Sequence, residues 1–532
     1  MPKDPTSELA SASAAAAARG PGGPRPNSAA ASDTSLFGHP RGLATLFSTE
    51  FFERFSYYGM RALLVLYMTA AISAGGLGFD ARKAGAISGL YTSGVYLLAL
   101  PGGWIADRII GQRRAVFIGG VIIALGHFCL VFSRIETFFL GLCLIVVGTG
   151  LLKPNISTMV GELYPDGGAR RDAGFSIFYM GINLGAFVAP LVTGWLRQDF
   201  GWHYGFAAAG LGMVGGLIQY TLGGKHLGTA GLHPDVGTVA DGRSRQTRLL
   251  LYGIGVVVVL TAILVALRSS GRLDITFAGA AEAVGYIIIA LAVLYFIYMF
   301  VAGGLNPVEK KRVSAIVVLF VFSALFWAGF EQASSTLNLF ADRNTNRAIF
   351  AWLPTDWLPR LRGWVMPAEW LQSVNALGII IFAPVFAWVW ISLARRSKEP
   401  SSPTKFTLGL VFLGLGFAVM ILAAQRNAAG VQVSPMWLVL TYFLHTVGEL
   451  CLSPVGLSTV TKLAPHRMVG QMMGVWFLSI SLGNLYAGRV AGEFESIPLP
   501  QLFGRVTMFT LGGAVLLALL IVPIKRLMSG VK

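Results

Sequence analysis

The segment "STEFFERFSYYGMRALLVLYMTAA", residues 48–71, is apolar enough for a membrane helix, yet its first half carries four charged residues: Glu50, Glu53, Arg54 and Arg61. On insertion scales, one such charge at a helix centre costs about 2.5–3.5 kcal/mol. At about 100° per residue, all four fall on one helix face together with Tyr57 and Tyr58. Glu50 and Glu53 could reach the interface by snorkelling, but Arg61 lies too far along the helix at about 1.5 Å per residue. The stripe therefore predicts a water-filled cavity or charged partners.

The composition of the whole chain is that of a membrane protein. Of its 532 residues, 55% are hydrophobic and only 12% are charged, whereas soluble domains have about 25% charged residues. The net charge of +16 does not indicate nucleic acid, because the basic residues lie in short clusters between apolar segments, as topology signals do. Cys129, Cys143 and Cys451 lie in apolar runs without metal-ligand spacing, so no disulfide framework, metal or cofactor is expected.

Fourteen segments are long enough to span a membrane, and they are arranged as six, two and six. An even number places both termini on one side, and the distribution of Lys and Arg assigns that side to the cytoplasm. The two middle spans carry no charged residue apart from Glu282 near one end, so they are expected to form a peripheral hairpin. The predicted divisions are a disordered cytoplasmic tail, an N-terminal six-helix bundle, a linker with a two-helix insertion, and a C-terminal six-helix bundle: 1–42, 43–222, 223–312 and 313–532.

The two groups of six spans hint at an internal repeat. An apolar helix, a basic turn and a second apolar helix occur around "LPGGWIADRIIGQRRAVF", and the same order recurs around "ISLARRSKEPSSPTKF". The first of these loops resembles the loop signature of the major facilitator superfamily at Gly103, Asp107, Arg108, Gly111 and Arg113. The resemblance implies an all-α membrane protein with two six-helix bundles and a site near the midplane.

Three further charges lie inside predicted spans. Counted without the insertion, Lys153 is in the fourth span and is followed by Pro154, while Glu331 is in the seventh and Glu449 in the tenth. Because the bases lie in one half and these two acids in the other, ion pairs are expected to bridge the halves, although their pairing does not follow from the sequence. His445 lies one helical turn before Glu449, and we assign it no role.

Several motifs together resemble those of the proton-coupled oligopeptide transporters, in their bacterial form. They are "ExxERFSYYG" from Glu50, "GTGLLKPNIS", "FYMGINLGAF", "FWAGFEQ" and "GELCLSPVGLS". The third departs from the family pattern, because Ala186 and Phe187 replace the usual Ser-Leu. The resemblance extends from about residue 43 to the end and implies a symporter that imports di- and tripeptides with protons by alternating access.

The resemblance also implies residue roles. Arg54 and Lys153, with Tyr58 and Tyr96 nearby, would hold the peptide carboxylate. Glu449, with Asn183 and Asn375, would receive its ammonium group. Trp327 and Trp476 would line side-chain pockets. Proton coupling is assigned to Glu50, Glu53, Arg54 and Glu331, and the gating ion pairs to Arg61–Glu331 and Lys153–Glu449.

The physical chemistry of a short peptide supports this arrangement independently. A peptide is a zwitterion, so its site needs a fixed cation and a fixed anion. A carboxylate beside Arg54 pairs with it when ionised and releases it when protonated, which provides a switch. Protons and peptides are thus the expected partners, with the lipid bilayer and without nucleic acid or an obligate protein partner.

Three other functions compete with this one. A transporter for nitrate, drugs or sugars is possible on the same fold, but opposed cations and an anion suit a zwitterion better. A membrane-embedded enzyme would need a nucleophile with its base or a metal constellation, and no such motif occurs. A channel would have rings of charged residues of one sign, whereas here acidic and basic residues oppose one another.

Overall fold

The computed structural model describes residues 33–165, 168–232, 240–272, 274, 276–351 and 363–531. Within these ranges the chain is helical and has only two isolated bridges, so it contains no strand. The long helices, here α1 to α14 in chain order, are Arg41–Thr69, Ala81–Ile105, Gln112–Leu130, Ile135–Glu162, Gly168–Phe200, Trp202–Gly223, Ala240–Ser269, Phe277–Ala302, Pro307–Phe330, Ser373–Arg395, Ser402–Ala428, Met436–Leu463, Val469–Gly492 and Leu499–Leu527. The all-α fold is therefore confirmed, and the described residues contain fourteen long helices where the sequence predicts fourteen spans.

Twelve of the described long helices are apolar enough to span a membrane by length and composition alone. The remaining two are α1 and α13. Both line the central cavity described below, α1 with charged groups and α13 with Trp476. The lower apolarity of α1 comes from these charged groups, and that of α13 comes from buried polar residues such as Ser479, Ser481 and Asn484.

Helices α1–α6 form the N-half, and α9–α14 form the C-half. We call the side of the membrane where α1 begins the near side, and the side where α1 ends the far side. The α9 helix is interrupted by a 3-10 turn, Glu331–Ser334, and the chain then reaches the far side through a short helix, Thr336–Arg343. A second 3-10 turn, Ala368–Gln372, leads into α10 from the far side.

The two halves pack closely on the far side. A Cβ atom added to Gly85 of α2 would lie 2.3 Å from the carbonyl oxygen of Gly488 of α13, so only glycine permits this approach. Asn338 Nδ2 donates to the carbonyl of Ala62 at 2.8 Å, which joins the short helix to α1. These contacts close the molecule on the far side.

The α8 helix contacts both halves, although the sequence pattern favours a peripheral hairpin. Ile288, Ala292 and Phe296 are buried in α8, and the helix packs along α2 of the N-half and α13 of the C-half. The apolar core of α7 contributes no buried residue. The insertion therefore has one peripheral helix and one helix at the junction of the halves.

Two segments of the chain are only partly described. Of the predicted disordered tail, residues 1–32 lie outside the described residues, while residues 33–40 form a turn in which His39 Nδ1 lies 2.8 Å from the Tyr164 hydroxyl. In the long loop after residue 342, Trp352 and Trp357 also lie outside them. Trp364 packs against Trp370, with ring centroids 5.4 Å apart.

Candidate functional site

A cavity of about 360 Å³ lies between the halves, near the middle of the spans. Twelve of the thirteen residues that the sequence analysis selects line it: Glu50, Arg54, Tyr58, Arg61, Tyr96, Lys153, Asn183, Trp327, Glu331, Asn375, Glu449 and Trp476. The thirteenth, Glu53, lies behind this wall and contacts Arg54. The fold thus brings the predicted residues from both halves into one site.

The charges of α1 form a buried cluster. Arg54 is 3% exposed and donates a hydrogen bond through its Nε atom to Glu53, and the same Nε atom lies 3.2 Å from Glu50 Oε1. Its guanidinium also lies over the ring of Tyr57, 5.1 Å from the centroid. One guanidinium is therefore shared by two carboxylates, which is the geometry that a proton-controlled switch requires.

Some polar atoms of this cluster remain without a partner. Among the described residues, no hydrogen bond reaches the buried Nη2 of Arg54 or Oε1 of Glu53. A buried guanidinium donor without a partner is costly. Lys153 adds a second cation, whose Nζ lies 4.1 Å from the ring centroid of Tyr96.

The C-half contributes the acid. Glu449 is 9% exposed, and its Oε2 accepts a hydrogen bond of 3.1 Å from Asn375 Nδ2. The same amide lies 2.9 Å from Thr446 Oγ1, so Asn375 is held at two points. On the opposite half, Asn183 lines the cavity while its amide donates to the Tyr179 carbonyl within α5.

The two predicted gating pairs differ in this conformation. Arg61 of α1 makes a hydrogen-bonded ion pair with Glu331, whose side chain is 5% exposed, and so joins the two halves. Within the described residues, Lys153 and Glu449 do not form an ion pair, because Lys153 lies over Tyr96 and Glu449 is bonded to Asn375. The described conformation is therefore closed on the far side and lacks the Lys153–Glu449 ion pair.

The cavity continues toward the near side. A second cavity of about 870 Å³, lined by the near-side parts of α10 and α12, shares Tyr179, Ser453 and Leu457 with the first. The site is therefore closed on the far side and extends toward the near side.

Sequence reasoning missed several residues of the site and its surroundings. Tyr179, Ser157 and Gln372 line the cavity but lack charge. Tyr179 and Ser157 lie within the quoted motifs "FYMGINLGAF" and "GTGLLKPNIS", which could have marked them, whereas Gln372 has no such signal. Arg197 and Glu369 form an ion pair between the halves, and each lies at a helix end, where charges usually snorkel. His445 reaches the cavity while its ring packs 4.9 Å from that of Phe417.

These features define a membrane transporter with two six-helix halves and a charged site between them. A sequence profile described as the POT family matches residues 113–505. The chain therefore belongs to the POT family, the proton-coupled oligopeptide transporters, as the motifs of the sequence indicate.

Characterised relatives extend over nearly the whole chain. The chain is 44% identical to the peptide transporter YePEPT of Yersinia enterocolitica, over 93% of this chain and 96% of the relative. It is 36% identical to a di-/tripeptide transporter of Lactococcus lactis subsp. cremoris, over 94% and 99% of the two chains. These relatives are transporters, and the chain is not an enzyme.

Solved structures show the same fold. A crystal structure of the peptide transporter POT in complex with sulfate matches with a TM-score of 0.84 and 43% identity, over 93% of this chain and 97% of that one. A POT family transporter in complex with 5-aminolevulinic acid matches with a TM-score of 0.85 and 34% identity, over 94% of this chain and 100% of that one. The major facilitator architecture that the loop resemblance implies is thus confirmed.

Proposed function

We propose that this protein is a proton-coupled symporter that imports di- and tripeptides by alternating access. The observation that carries the proposal is the charge arrangement of the central cavity. The N-half supplies two cations, Arg54 and Lys153, and the C-half supplies the anion Glu449. A peptide carries one carboxylate and one ammonium group, so it can satisfy both walls at once.

The ligands of relatives agree with this chemistry. One solved relative holds 5-aminolevulinic acid, which carries an amino group and a carboxylate, and another holds a thioalcohol-conjugated peptide. In this chain, Arg54 and Lys153 line the cavity and are the cations available for the carboxylate. Glu449, with Asn375 beside it, is the acceptor for the ammonium group.

Proton coupling follows from the shared guanidinium of α1. With Glu50 and Glu53 ionised, Arg54 is neutralised by two carboxylates. Protonation of one carboxylate weakens that attraction and frees the guanidinium for the peptide. A gradient supplies ample energy, because moving one charge across 100 mV is worth about 2.3 kcal/mol.

Alternation uses the two predicted gating pairs, Arg61–Glu331 and Lys153–Glu449. Arg61–Glu331 belongs to the conformation closed on the far side. In the opposite conformation, we expect Lys153 to approach Glu449 when the near side closes. In the described conformation, Glu449 is held by the hydrogen bond from Asn375. A peptide ammonium group or Lys153 would neutralise its charge, since a buried carboxylate without a partner costs several kcal/mol.

We place the protein in the bacterial cytoplasmic membrane with both termini in the cytoplasm. The clusters of Lys and Arg between spans on the near side support this orientation. The near side is then the cytoplasm, so the described conformation faces inward. Protons, peptides and the lipid bilayer are its partners, and its function requires neither a cofactor nor an obligate protein partner.

Uptake of a labelled dipeptide into proteoliposomes tests the proposal. We expect accumulation against the peptide gradient when the outside is acidic, and only equilibration without a proton gradient. Nitrate, a sugar and a cationic drug serve as competitors that lack the zwitterion. Inhibition by these solutes but not by unlabelled dipeptide would contradict the proposal and favour a non-peptide transporter.

A further inference from the structure

The α8 helix of the insertion is attached to a different half at each of its ends. Its first residue, Phe277, lies on the far side and stacks on Phe139 of α4, with ring centroids 5.3 Å and planes 8° apart. The Nζ atom of Lys83 in α2 lies 5.8 Å from the centroid of the Phe277 ring. Both partners belong to the N-half, so the far end of α8 is attached to that half.

The near end of α8 is attached to the C-half instead. The ring of Phe296 packs edge to face on that of Phe320 in α9, with centroids 5.9 Å apart. The adjacent Tyr295 hydroxyl donates to Gln471 Oε1 in the first turn of α13 at 3.3 Å. Two helices of the C-half therefore hold this end.

The chain that follows α8 is fixed to the C-half as well. Arg467, in the 3-10 turn before α13, donates from Nη2 to the carbonyls of Gly303 and Gly304 at 3.0 and 2.9 Å. Its Nη1 atom lies 3.3 Å from Glu309 Oε1 in the first turn of α9. The near end of α8 cannot shift along the C-half without breaking these contacts.

The packing between the two ends follows the same division. The four buried residues of α8 lie in its middle and near parts: Ile288, Ala292, Phe296 and Met299. Closer to the far end, a cavity of about 460 Å³ lies where α8, α2 and α13 meet. The helix is thus packed closely where it meets the C-half on the near side and loosely where the halves meet on the far side.

We propose that α8 is a diagonal strap, which joins the far side of the N-half to the near side of the C-half and favours the conformation closed on the far side. The proposal rests on the proposed function in one respect: alternating access requires the halves to rock, so that their far ends separate while their near ends approach. The strap sets how readily that rocking occurs from the described conformation.

The stiffness of a helix explains the effect. With 26 residues at about 1.5 Å each, α8 is about 39 Å long, and its backbone hydrogen bonds fix that length. When the halves rock, the two attachment points move relative to each other, so α8 must tilt against at least one half. The tilt disturbs the aromatic contact at that end, which contributes stability beyond the area that it buries. Opening on the far side therefore loses a contact that the closed conformation keeps.

Distance measurements between spin labels test the strap directly. Ile72 and Val431, which are 77% and 64% exposed, lie in far-side loops of the N-half and the C-half. Labels at these positions, in a background without Cys129, Cys143 and Cys451, report separation of the halves. We expect Phe277→Ala to raise the ratio of far-side-open to far-side-closed molecules about twofold to tenfold, the range for loss of one aromatic pair.

A double substitution separates a strap from two ordinary contacts. Phe277 and Phe296 lie about 28 Å apart along the helix, so the effects of independent contacts would add. In a strap, loss of either attachment already releases the helix. Phe277→Ala combined with Phe296→Ala should therefore shift the ratio no further than the larger of the two single effects. The matched control is Leu294→Ala, because Leu294 lies on the same helix but is 62% exposed, and it should leave the distances unchanged.

The proposal is overturned if Phe277→Ala leaves the distance distribution unchanged, if Leu294→Ala shifts it equally, or if the two single effects add in the double variant. If Phe296→Ala does not fold, Tyr295→Phe takes its place in the same comparison, because it removes only the hydroxyl that contacts Gln471. The distances are measured without peptide and without a proton gradient, whereas peptide uptake tests the proposed function, so a failure of one is distinguished from a failure of the other.

Discussion

Glu449→Gln tests how the cavity recognises the peptide amino group. Glu449 is 9% exposed, so an ammonium group that pairs with it there is largely desolvated. Loss of one partner of a buried charge pair costs about 2–5 kcal/mol, whereas an exposed pair is worth less than about 1 kcal/mol. Because Glu449 keeps a hydrogen bond to Asn375, we take the lower end, about 2 kcal/mol, which corresponds to roughly 30-fold in affinity.

The assay is competition by dipeptides and their blocked analogues. Glu449→Gln should lower the affinity for a free dipeptide about 30-fold and that for its N-acetylated analogue by less than about threefold. Arg54→Ala should show the reverse pattern, weakening the binding of free carboxylates more than that of C-terminal amides, because Arg54 is a cation of the N-half that lines the cavity. Equal losses of affinity for all ligands in both variants would refute the proposal that opposed charges recognise the two ends of the peptide.

The remaining predictions concern coupling, gating and packing. Glu53→Gln or Glu50→Gln should abolish gradient-driven uptake but spare peptide exchange between equal pools; intact accumulation in both would exclude the carboxylate switch. Arg61→Ala should lower turnover with little change in affinity, since its partner Glu331 lies in the other half; lost affinity at normal turnover would instead place Arg61 in the binding site. Gly85→Leu should abolish uptake by preventing far-side closure, because its Cβ would meet the Gly488 carbonyl at 2.3 Å. Gly253→Leu, where space is open, is the control, and equal uptake in both variants would show that this contact is dispensable.

Much of the fold and the site could be predicted from the sequence, because a charged residue within a membrane span indicates a functional position. A carboxylate or guanidinium in an apolar span is costly, so Glu50, Arg54, Lys153 and Glu449 stand out against their surroundings. The structure places all four on one cavity. The same reasoning applies to soluble proteins far less well, because charges there are ordinarily solvated.

The rest could not be predicted, because charges at helix ends carry little information. Arg197 and Glu369 lie at the ends of their helices, and only the fold shows that the ends meet. The contact of α8 with both halves is also a property of packing, since its buried residues resemble those that face lipid. The Lys153–Glu449 pair remains a prediction about another conformation.

Proton movement driven by peptide tests most directly whether the protein couples peptide entry to proton entry. Proteoliposomes with a trapped pH indicator, at equal pH on both sides and with the membrane potential clamped at zero, receive a dipeptide outside. We expect internal acidification in the parent protein and none in Glu53→Gln, although that variant still exchanges labelled peptide. Peptide entry in the parent protein without acidification would show that transport is not coupled to protons.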